Sequence, residues 1–241
     1  MTSLSLVLPC FNEAQNIEKT VQNVAVWFAK EQMDGEIIIV NDGSRDNTLE
    51  VAKKLQKSMP GIKVVNHEKN QGYGAAIRSG CDVAEKEIVG FMDSDGQFHA
   101  EDIGILLPHL TDVNFVSGIR GKRADPLIRK IKGRVYNTLI QLALSTRIKD
   151  VNCGMKIFKR SIWKTIRPAI ATGALINAEL YLALKNANMP WKEIPVPHYP
   201  RTAGTQTGGN FAVMMKMFKE LFHLKKTRKE FDIKRAAMEA M

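Results

Sequence analysis

Short apolar runs and longer amphipathic stretches alternate along the first 118 residues. Residues 4–8, 36–40, 62–66, 87–92 and 114–118 are compact apolar runs of strand length. Between them, residues 13–29, 46–57, 73–85 and 101–110 repeat apolar positions every three or four residues, as Leu49, Ala52 and Leu55 do. Strands that are apolar throughout, separated by one-sided helices, predict an α/β fold. Its central sheet is mostly parallel and covered by helices on both faces. After Gly118 the rhythm changes. Residues 126–144 carry Leu127, Ile131, Val135, Leu139 and Leu142 at helical spacing, residues 152–158 and 191–196 read as strands, and residues 174–186 as a helix. A Pro/Gly-rich stretch over 195–209 then leads into an amphipathic helix over 210–229. With no internal repeat or low-complexity linker, the economical division is one domain over 1–209 and a C-terminal extension over 210–241.

In such a sheet ligands bind beyond the carboxyl ends of the strands. That brings four loops to one rim, residues 9–13, 41–46, 70–74 and 93–97, each rich in Asn, Asp, Gly or Gln. These residue types are also ordinary turn formers, so the rim marks a place for chemistry without naming it.

Composition narrows the classes. With 44% apolar and 25% charged residues in 241, the chain has the profile of a folded soluble domain. No apolar run approaches the ~18–20 residues of a membrane span, and the N-terminus lacks the order of a secretory signal. Cys10, Cys81 and Cys153 are far apart and odd in number, which predicts core packing and a reducing cytoplasm. The five histidines show neither a zinc spacing nor a Ser-His-Asp pattern.

The net charge of +10 is concentrated in two places. Residues 119–135 hold seven bases and one acid, and residues 216–235 hold eight bases and three acids. The remainder is nearly neutral, so two segments are where anionic partners are expected. In the C-terminal stretch Phe211, Met214, Phe218, Leu221 and Phe222 share one side, with Lys216, Lys219 and Lys226 on the other. That pattern suits a helix lying on an anionic membrane surface. A stripe packed on the sheet, an acidic helix of a membrane-protein partner and a homo-oligomer contact remain alternatives.

Candidate chemistry centres on Asp93-Ser94-Asp95 at the end of an apolar strand. Two carboxylates two residues apart on a loop can share one hard divalent cation that keeps positions open for phosphate oxygens, and Gln97 can add a carbonyl oxygen. Gly72-Tyr73-Gly74 is neither a dinucleotide fingerprint nor a P-loop. Its glycines read as a tight turn into the third helix.

Six segments, in order, carry a family resemblance. They are Leu8-Pro9-Cys10-Phe11-Asn12-Glu13; Val40-Asn41-Asp42-Gly43-Ser44 with Asp46 and Thr48; Met92-Asp93-Ser94-Asp95-Gly96-Gln97; Gly118-Ile119-Arg120; Asp150-Val151-Asn152-Cys153-Gly154-Met155-Lys156; and Tyr199-Pro200-Arg201-Thr202-Ala203-Gly204. Together they resemble family 2 glycosyltransferases of the GT-A fold, in the polyprenol-phosphate (dolichol-phosphate mannose synthase-like) branch. The resemblance implies inverting transfer of a sugar from a nucleotide diphosphate sugar, GDP-mannose or a UDP-hexose, to a polyprenyl phosphate. It implies Mg²⁺ or Mn²⁺ on Asp93, Asp95 and Gln97, nucleotide-sugar contacts from Pro9, Glu13, Asp42 and Asp93, and Arg201 closing over the diphosphate. Arg120 and Arg134 match bases that hold the acceptor phosphate, and Glu179 sits near the position of a catalytic carboxylate in other members. The chain departs from the family pattern at Asn41-Asp42, where many members have two aspartates. It departs again at Gly96-Gln97-Phe98-His99-Ala100, which lacks the usual Leu and Pro.

Physical chemistry adds one constraint. A hydroxyl acceptor usually needs a general base, whereas a phosphate monoester with a second pKa near ~6 is largely a dianion at neutral pH and needs none. A transferase acting on a saccharide hydroxyl would thus require Glu179 as its base. A third reading is a non-catalytic basic module for membrane or nucleic acid. It accounts for the charge but leaves the four-loop rim unexplained, and residues 119–135 lack the aromatics that stack nucleic-acid bases. No nucleic-acid partner is therefore expected. The expected location is the cytoplasmic face of a membrane, peripherally bound.

Overall fold

The protein is described here by a computed structural model, which covers residues 1–121 and 127–201. The expected C-terminal helix and the boundary at residue 210 lie outside the described residues.

Among the described residues seven strands form one sheet, in the order β3-β2-β1-β4-β6-β5-β7. They are β1 (Ser3–Cys10), β2 (Asp34–Asp42), β3 (Ile62–His67), β4 (Ile88–Met92), β5 (Phe115–Arg120), β6 (Met155–Lys159) and β7 (Lys192–Val196). β1 to β4 pair in parallel, joined by α1 (Ile17–Lys30), α2 (Thr48–Ser58) and α3 (Tyr73–Asp82). Further along come α4 (Glu101–Leu106), α5 (Leu127–Leu144), α6 (Trp163–Ile166) and α7 (Ile176–Asn186).

Alternation along each strand explains why the strands are apolar throughout. Leu4, Leu6 and Leu8 of β1 and Ile37 and Ile39 of β2 face a core completed by α1, α2 and α4. Val7, Ile38 and Val40 face the opposite core, with Ala76, Ile77 and Cys81 of α3 and the buried face of α7. Both faces are covered, so neither can be polar.

The helices begin and end where local chemistry requires. α1 starts at Ile17 and not at residue 13, because residues 13–16 form a turn in which the Asn16 N–H donates to the Glu13 carbonyl (2.9 Å). The helix expected over 101–110 is broken. α4 stops at Leu106, and a 3₁₀ turn over Leu107–Thr111 contains Pro108, which has no N–H and crowds the preceding turn. α6 has only four residues, too short for any periodicity to reveal. It is fixed to α3 through Asp82, which accepts from Trp163 Nε1 (2.8 Å) and from Arg167 Nε (2.8 Å) and Nη2 (2.7 Å).

The departure that matters for function is β6. It is wedged between β4 and β5 and antiparallel to both, while β5 and β7 pair in parallel. An antiparallel strand starts where its parallel neighbours end. The loop before β6, residues 150–154, is thereby delivered to the same rim as the loops after β1, β2 and β4. Its first contact there is a hydrogen bond from the Asp93 N–H to the Gly154 carbonyl (3.1 Å).

Close packing of α3 on the sheet depends on Gly80. A Cβ there would stand 2.3 Å from Val7 Cγ1 and 2.9 Å from Val40 Cγ2. Gly80→Ala is therefore expected to cost about 1–3 kcal/mol through overpacking, seen in urea unfolding as a lower midpoint at unchanged slope. Stability equal to the parent would contradict this packing.

Candidate active site

The rim is assembled by hydrogen bonds between loops. The first two loops interlock: Asn12 N–H donates to Ser44 Oγ (3.0 Å), Arg45 N–H to Asn12 Oδ1 (2.8 Å), and Glu13 N–H to Thr48 Oγ1 (2.9 Å). Ser94 Oγ donates to the carbonyl of Pro9 (2.8 Å), joining the loop after β4 to the end of β1. Asn70 Nδ2 donates to the Asp42 carbonyl (3.2 Å), so all four predicted loops meet, with Pro9, Glu13, Asp42, Asp93, Asp95 and Gln97 on them.

Asp42 is 2% exposed and its carboxylate is already occupied. It accepts from the N–H groups of Gln71 and Gly72 (2.8 Å each) and pairs with His67 Nδ1 (2.7 Å), whose Nε2 meets Ser79 Oγ (2.9 Å). The Asp42 carboxylate thereby fixes the placement of the Gln71–Gly72 backbone at the rim. Gly72 is in the left-handed region (φ 104°), and a Cβ there would stand 2.4 Å from the carbonyl oxygen of Thr172. Only glycine fits both demands.

Asp93 and Asp95 sit at the end of β4. Burial, then the neighbouring Asp95 charge, push the Asp93 carboxyl up to about 7. Tyr73 donates its hydroxyl to Asp93 Oδ1 (2.8 Å), and burial followed by the Asp93 charge keeps that phenol protonated. Gly154 lies so close that a Cβ would come within 2.0 Å of Asp93 Oδ2. Asp95 accepts from the Gln97 N–H (3.0 Å) and from Arg201 Nη1 (3.2 Å). Arg201 Nη2 also donates to Glu13 Oε1 (2.5 Å), while Glu13 Oε2 accepts from Asn16 Nδ2 (2.6 Å). Burial raises the Glu13 carboxyl, opposed by Asn16 and Arg201.

The donor set suits a hard divalent cation. It is all oxygen, and it pairs two close carboxylates whose charges repel without a countercharge. Among the described residues no three His, Cys, Asp or Glu side chains close into a complete cage. A cation on Asp93, Asp95 and the Gln97 carbonyl oxygen would therefore take its remaining ligands from phosphate oxygens or water. Arg201 supplies positive charge at this place in the ligand-free protein.

Arg120, at the end of β5, makes a two-pronged ion pair with Asp150 (Nε 2.8 Å, Nη2 2.7 Å). Burial raises the Asp150 carboxyl, but Arg120 more than offsets this and holds it below its usual range. The loop carrying Asp150 is anchored from beneath by Lys156, which is wholly buried and donates to the carbonyls of Val151 (3.2 Å) and Cys153 (2.5 Å). Arg134 lies on α5, but its side chain is outside the described residues. The three cysteines are buried, as expected, and burial pushes the thiols of Cys10 and Cys153 up to about 12.

Glu179 is engaged by backbone groups of the segment before α7. Its oxygens accept from three successive backbone N–H groups, Ala169 (2.7 Å), Ile170 (3.0 Å) and Ala171 (2.8 Å). With its oxygens engaged by these backbone donors, the Glu179 carboxylate holds the turn before α7 in this structure, a role distinct from the catalytic one expected for it. It shapes the 169–171 turn, and the Thr172 carbonyl just beyond accepts from the Gly74 N–H (2.8 Å). Sequence reasoning also missed Tyr73, Asp150 and Lys156 as parts of the site. Tyr73 was hidden between two glycines that carried a turn reading of their own.

Glu179→Gln would set an amide N–H₂ against backbone donors. It is expected to cost about 1–3 kcal/mol of stability in thermal or urea unfolding. Full stability with abolished activity would restore the base.

Comparison with known proteins bears on the family and the fold. The chain is 29% identical over 80% of its length to a dolichyl-phosphate β-glucosyltransferase (ALG5C) of Trichomonas vaginalis, covering 62% of that protein. It is 29% identical over 92% of its length to a dodecaprenyl-phosphate galacturonate synthase of Rhizobium johnstonii, covering 67% of it. A second Trichomonas β-glucosyltransferase (ALG5A) is 35% identical over 68% of the chain and 55% of its own length. The chain thus spans 55–67% of the length of these relatives. Among solved structures, glucosyl-3-phosphoglycerate synthase of Mycobacterium tuberculosis, in complex with Mn²⁺, UDP and phosphoglyceric acid, superposes with a TM-score of 0.69. The match covers 91% of this chain and 78% of that one at 18% identity, and it establishes the GT-A fold. Residues 5–167, more than half of the 241, match the family described as Glycosyl transferase family 2, and the chain belongs to that family.

Proposed function

We propose that this chain transfers a sugar from a nucleotide diphosphate sugar to a polyprenyl phosphate with the help of Mg²⁺ or Mn²⁺. The observation that carries the reading is the loop 150–154. Through Gly154 it abuts the Asp93 carboxylate, and through Asp150 it clamps Arg120. A cation-binding pair and a base suited to an acceptor phosphate are thereby tied to one rim, as a reaction between two phosphate-bearing substrates requires. The names of the relatives, dolichyl-phosphate β-glucosyltransferases and a dodecaprenyl-phosphate galacturonate synthase, favour the same acceptor class.

In this reading Asp93, Asp95 and Gln97 hold the cation, which when bound neutralises the departing diphosphate. Arg201 releases Glu13 and Asp95 and turns its guanidinium to the diphosphate. Tyr73 keeps Asp93 oriented by its hydroxyl, and the Asp42-held backbone at Gln71–Gly72 walls the nucleoside. Arg120, set by Asp150, and Arg134 receive the acceptor phosphate. Its oxygen attacks the anomeric carbon with inversion and no proton to remove. The engagement of Glu179 with backbone N–H groups disfavours the competing reading, a hydroxyl acceptor activated by that carboxylate.

Contact with a membrane follows from the acceptor. No described helix is long and apolar enough to cross a bilayer. α5 exposes Val135 (56%), Leu139 (38%) and Leu142 (72%), following the basic run of 119–135, and the basic stretch 216–235 adds a second anionic-surface contact. We take these together as a peripheral attachment to an anionic cytoplasmic leaflet.

Incubating the full chain with Mn²⁺, a short polyprenyl phosphate and UDP-glucose, UDP-galacturonate or GDP-mannose should release nucleoside diphosphate and yield lipid-extractable sugar with one donor. Asp95→Ala should lose at least ~10²-fold in rate, the scale of removing one electrostatic stabiliser. Turnover with a saccharide acceptor but with no polyprenyl phosphate would overturn the acceptor. Separately, phosphatidylglycerol-containing vesicles should sediment the chain at low salt and release it at high salt. Equal binding to neutral phosphatidylcholine vesicles, or none to either, would remove the anionic-surface contact.

A further inference from the structure

After β7 the chain crosses the rim and reaches Arg201, and on the way it is fastened to the loop that follows Asp95. The Tyr199 N–H donates to the Gln97 carbonyl (3.1 Å), and Gln97 Nε2 donates to the Tyr199 carbonyl (3.3 Å). Beside this pairing, the His99 and Tyr199 rings lie face to face, centroids 3.9 Å apart and planes within 9°. Phe98 and His198 meet edge to face at 5.3 Å and 78°. The loop side is fixed in turn, because the His99 N–H donates to Asp102 Oδ2 (3.0 Å) at the start of α4. Arg201, two residues beyond Tyr199, then spans Asp95 and Glu13.

We infer that His99 and Tyr199 are positioning residues for Arg201, forming a ring clasp that holds its guanidinium over the nucleotide-diphosphate site. The inference rests on the reading of that site given above. Three observations carry it. His99 is exposed, so its stack with Tyr199 is not a by-product of core packing. The clasp lies one residue from Pro200 and two from Arg201, and a chain that rises about 3.3 Å per residue confines the Arg201 backbone once Tyr199 is fixed, leaving only the side chain to search. Finally, Phe98 and His99 occupy the stretch where this chain departs from the family's usual Leu and Pro. Both rings of that stretch find ring partners in the segment that delivers Arg201. Gln97 joins the two functions, since its backbone carbonyl and side-chain N–H₂ hold the Arg201 segment while its side-chain carbonyl oxygen, Oε1, is the one assigned to the cation. The clasp thus restricts the search of a long, flexible side chain before the diphosphate arrives, which favours binding by preorganisation.

The test uses the full chain with UDP plus Mn²⁺ and GDP plus Mn²⁺ as probes, read by calorimetry, alongside hydrogen exchange without ligand. His99→Ala and Tyr199→Ala should each raise Kd about three- to tenfold, the worth of one aromatic stack. His99→Phe and Tyr199→Phe, which keep a ring in place, should restore the affinity. Combined with Arg201→Ala, the alanine variants should add no further loss, because their effect runs through that guanidinium. Exchange of the Tyr199 amide should quicken in His99→Ala. Wild-type binding with unchanged affinity in His99→Ala, or a fully additive loss on the Arg201→Ala background, overturns the clasp. A wild-type chain that binds neither nucleotide overturns the reading of the site itself. In that event unchanged exchange at Tyr199 in His99→Ala overturns the clasp as well, and quickened exchange confirms the fastening while removing its purpose.

Discussion

Two carboxylates held at the end of a buried strand set the terms for everything around them. Hydrophobic β4 carries Asp93 to a place where solvation is poor, and Asp95 stands beside it, so the pair is electrostatically costly without countercharge. The neighbouring loops answer that cost with specific groups. Tyr73 donates a hydroxyl, Gly154 removes a side chain that would collide, and Arg201 brings a guanidinium from the far end of the described chain. Arg120 and Lys156 add positive charge near Asp93, while the Arg201 guanidinium, on a long side chain, is shared between Asp95 and Glu13.

The antiparallel β6 is what makes this answer possible. Had the chain continued its parallel alternation, the segment before β6 would emerge at the opposite edge of the sheet. Running backwards between β4 and β5, it puts the 150–154 loop between Asp93 and Arg120, and the buried ammonium of Lys156 pins that loop from below. Lys156 is satisfied by carbonyls and by the faces of Phe91 and Tyr181. A cation placed this way orders backbone without spending a carboxylate the site needs.

Much of this was legible in the linear chain, for definite reasons. Apolar runs at Leu4–Leu8 and Ile37–Val40 can only be strands covered on both faces, and that places the loops after them on one rim. The DxD loop was singled out because paired carboxylates are tied to metal–phosphate chemistry, and Arg201 because residues 199–204 resemble a family segment. What stayed hidden depended on three-dimensional pairing. The direction of β6 leaves no trace in its own composition, since a strand buried on both faces reads the same either way. Glu179 looked catalytic from its position, but its partners are the backbone N–H groups of 169–171, which carry no side-chain signature. His67 belongs with Asp42 and Ser79 in space, and nothing in their spacing says so.

The saturation of Asp42 bears on how this end of the molecule comes apart. Its carboxylate is dry and fully paired only while β2, β3 and the start of α3 are all in place, because its three donors come from His67, Gln71 and Gly72. Loosening any one of them strands a buried negative charge, so partial opening is penalised more heavily than its lost contacts alone would suggest. β2, β3 and the start of α3 are therefore tied to one another through a single buried carboxylate. The Arg201 segment on the other side of the rim is held by a separate set of contacts, to Gln97, His99, Asp95 and Glu13.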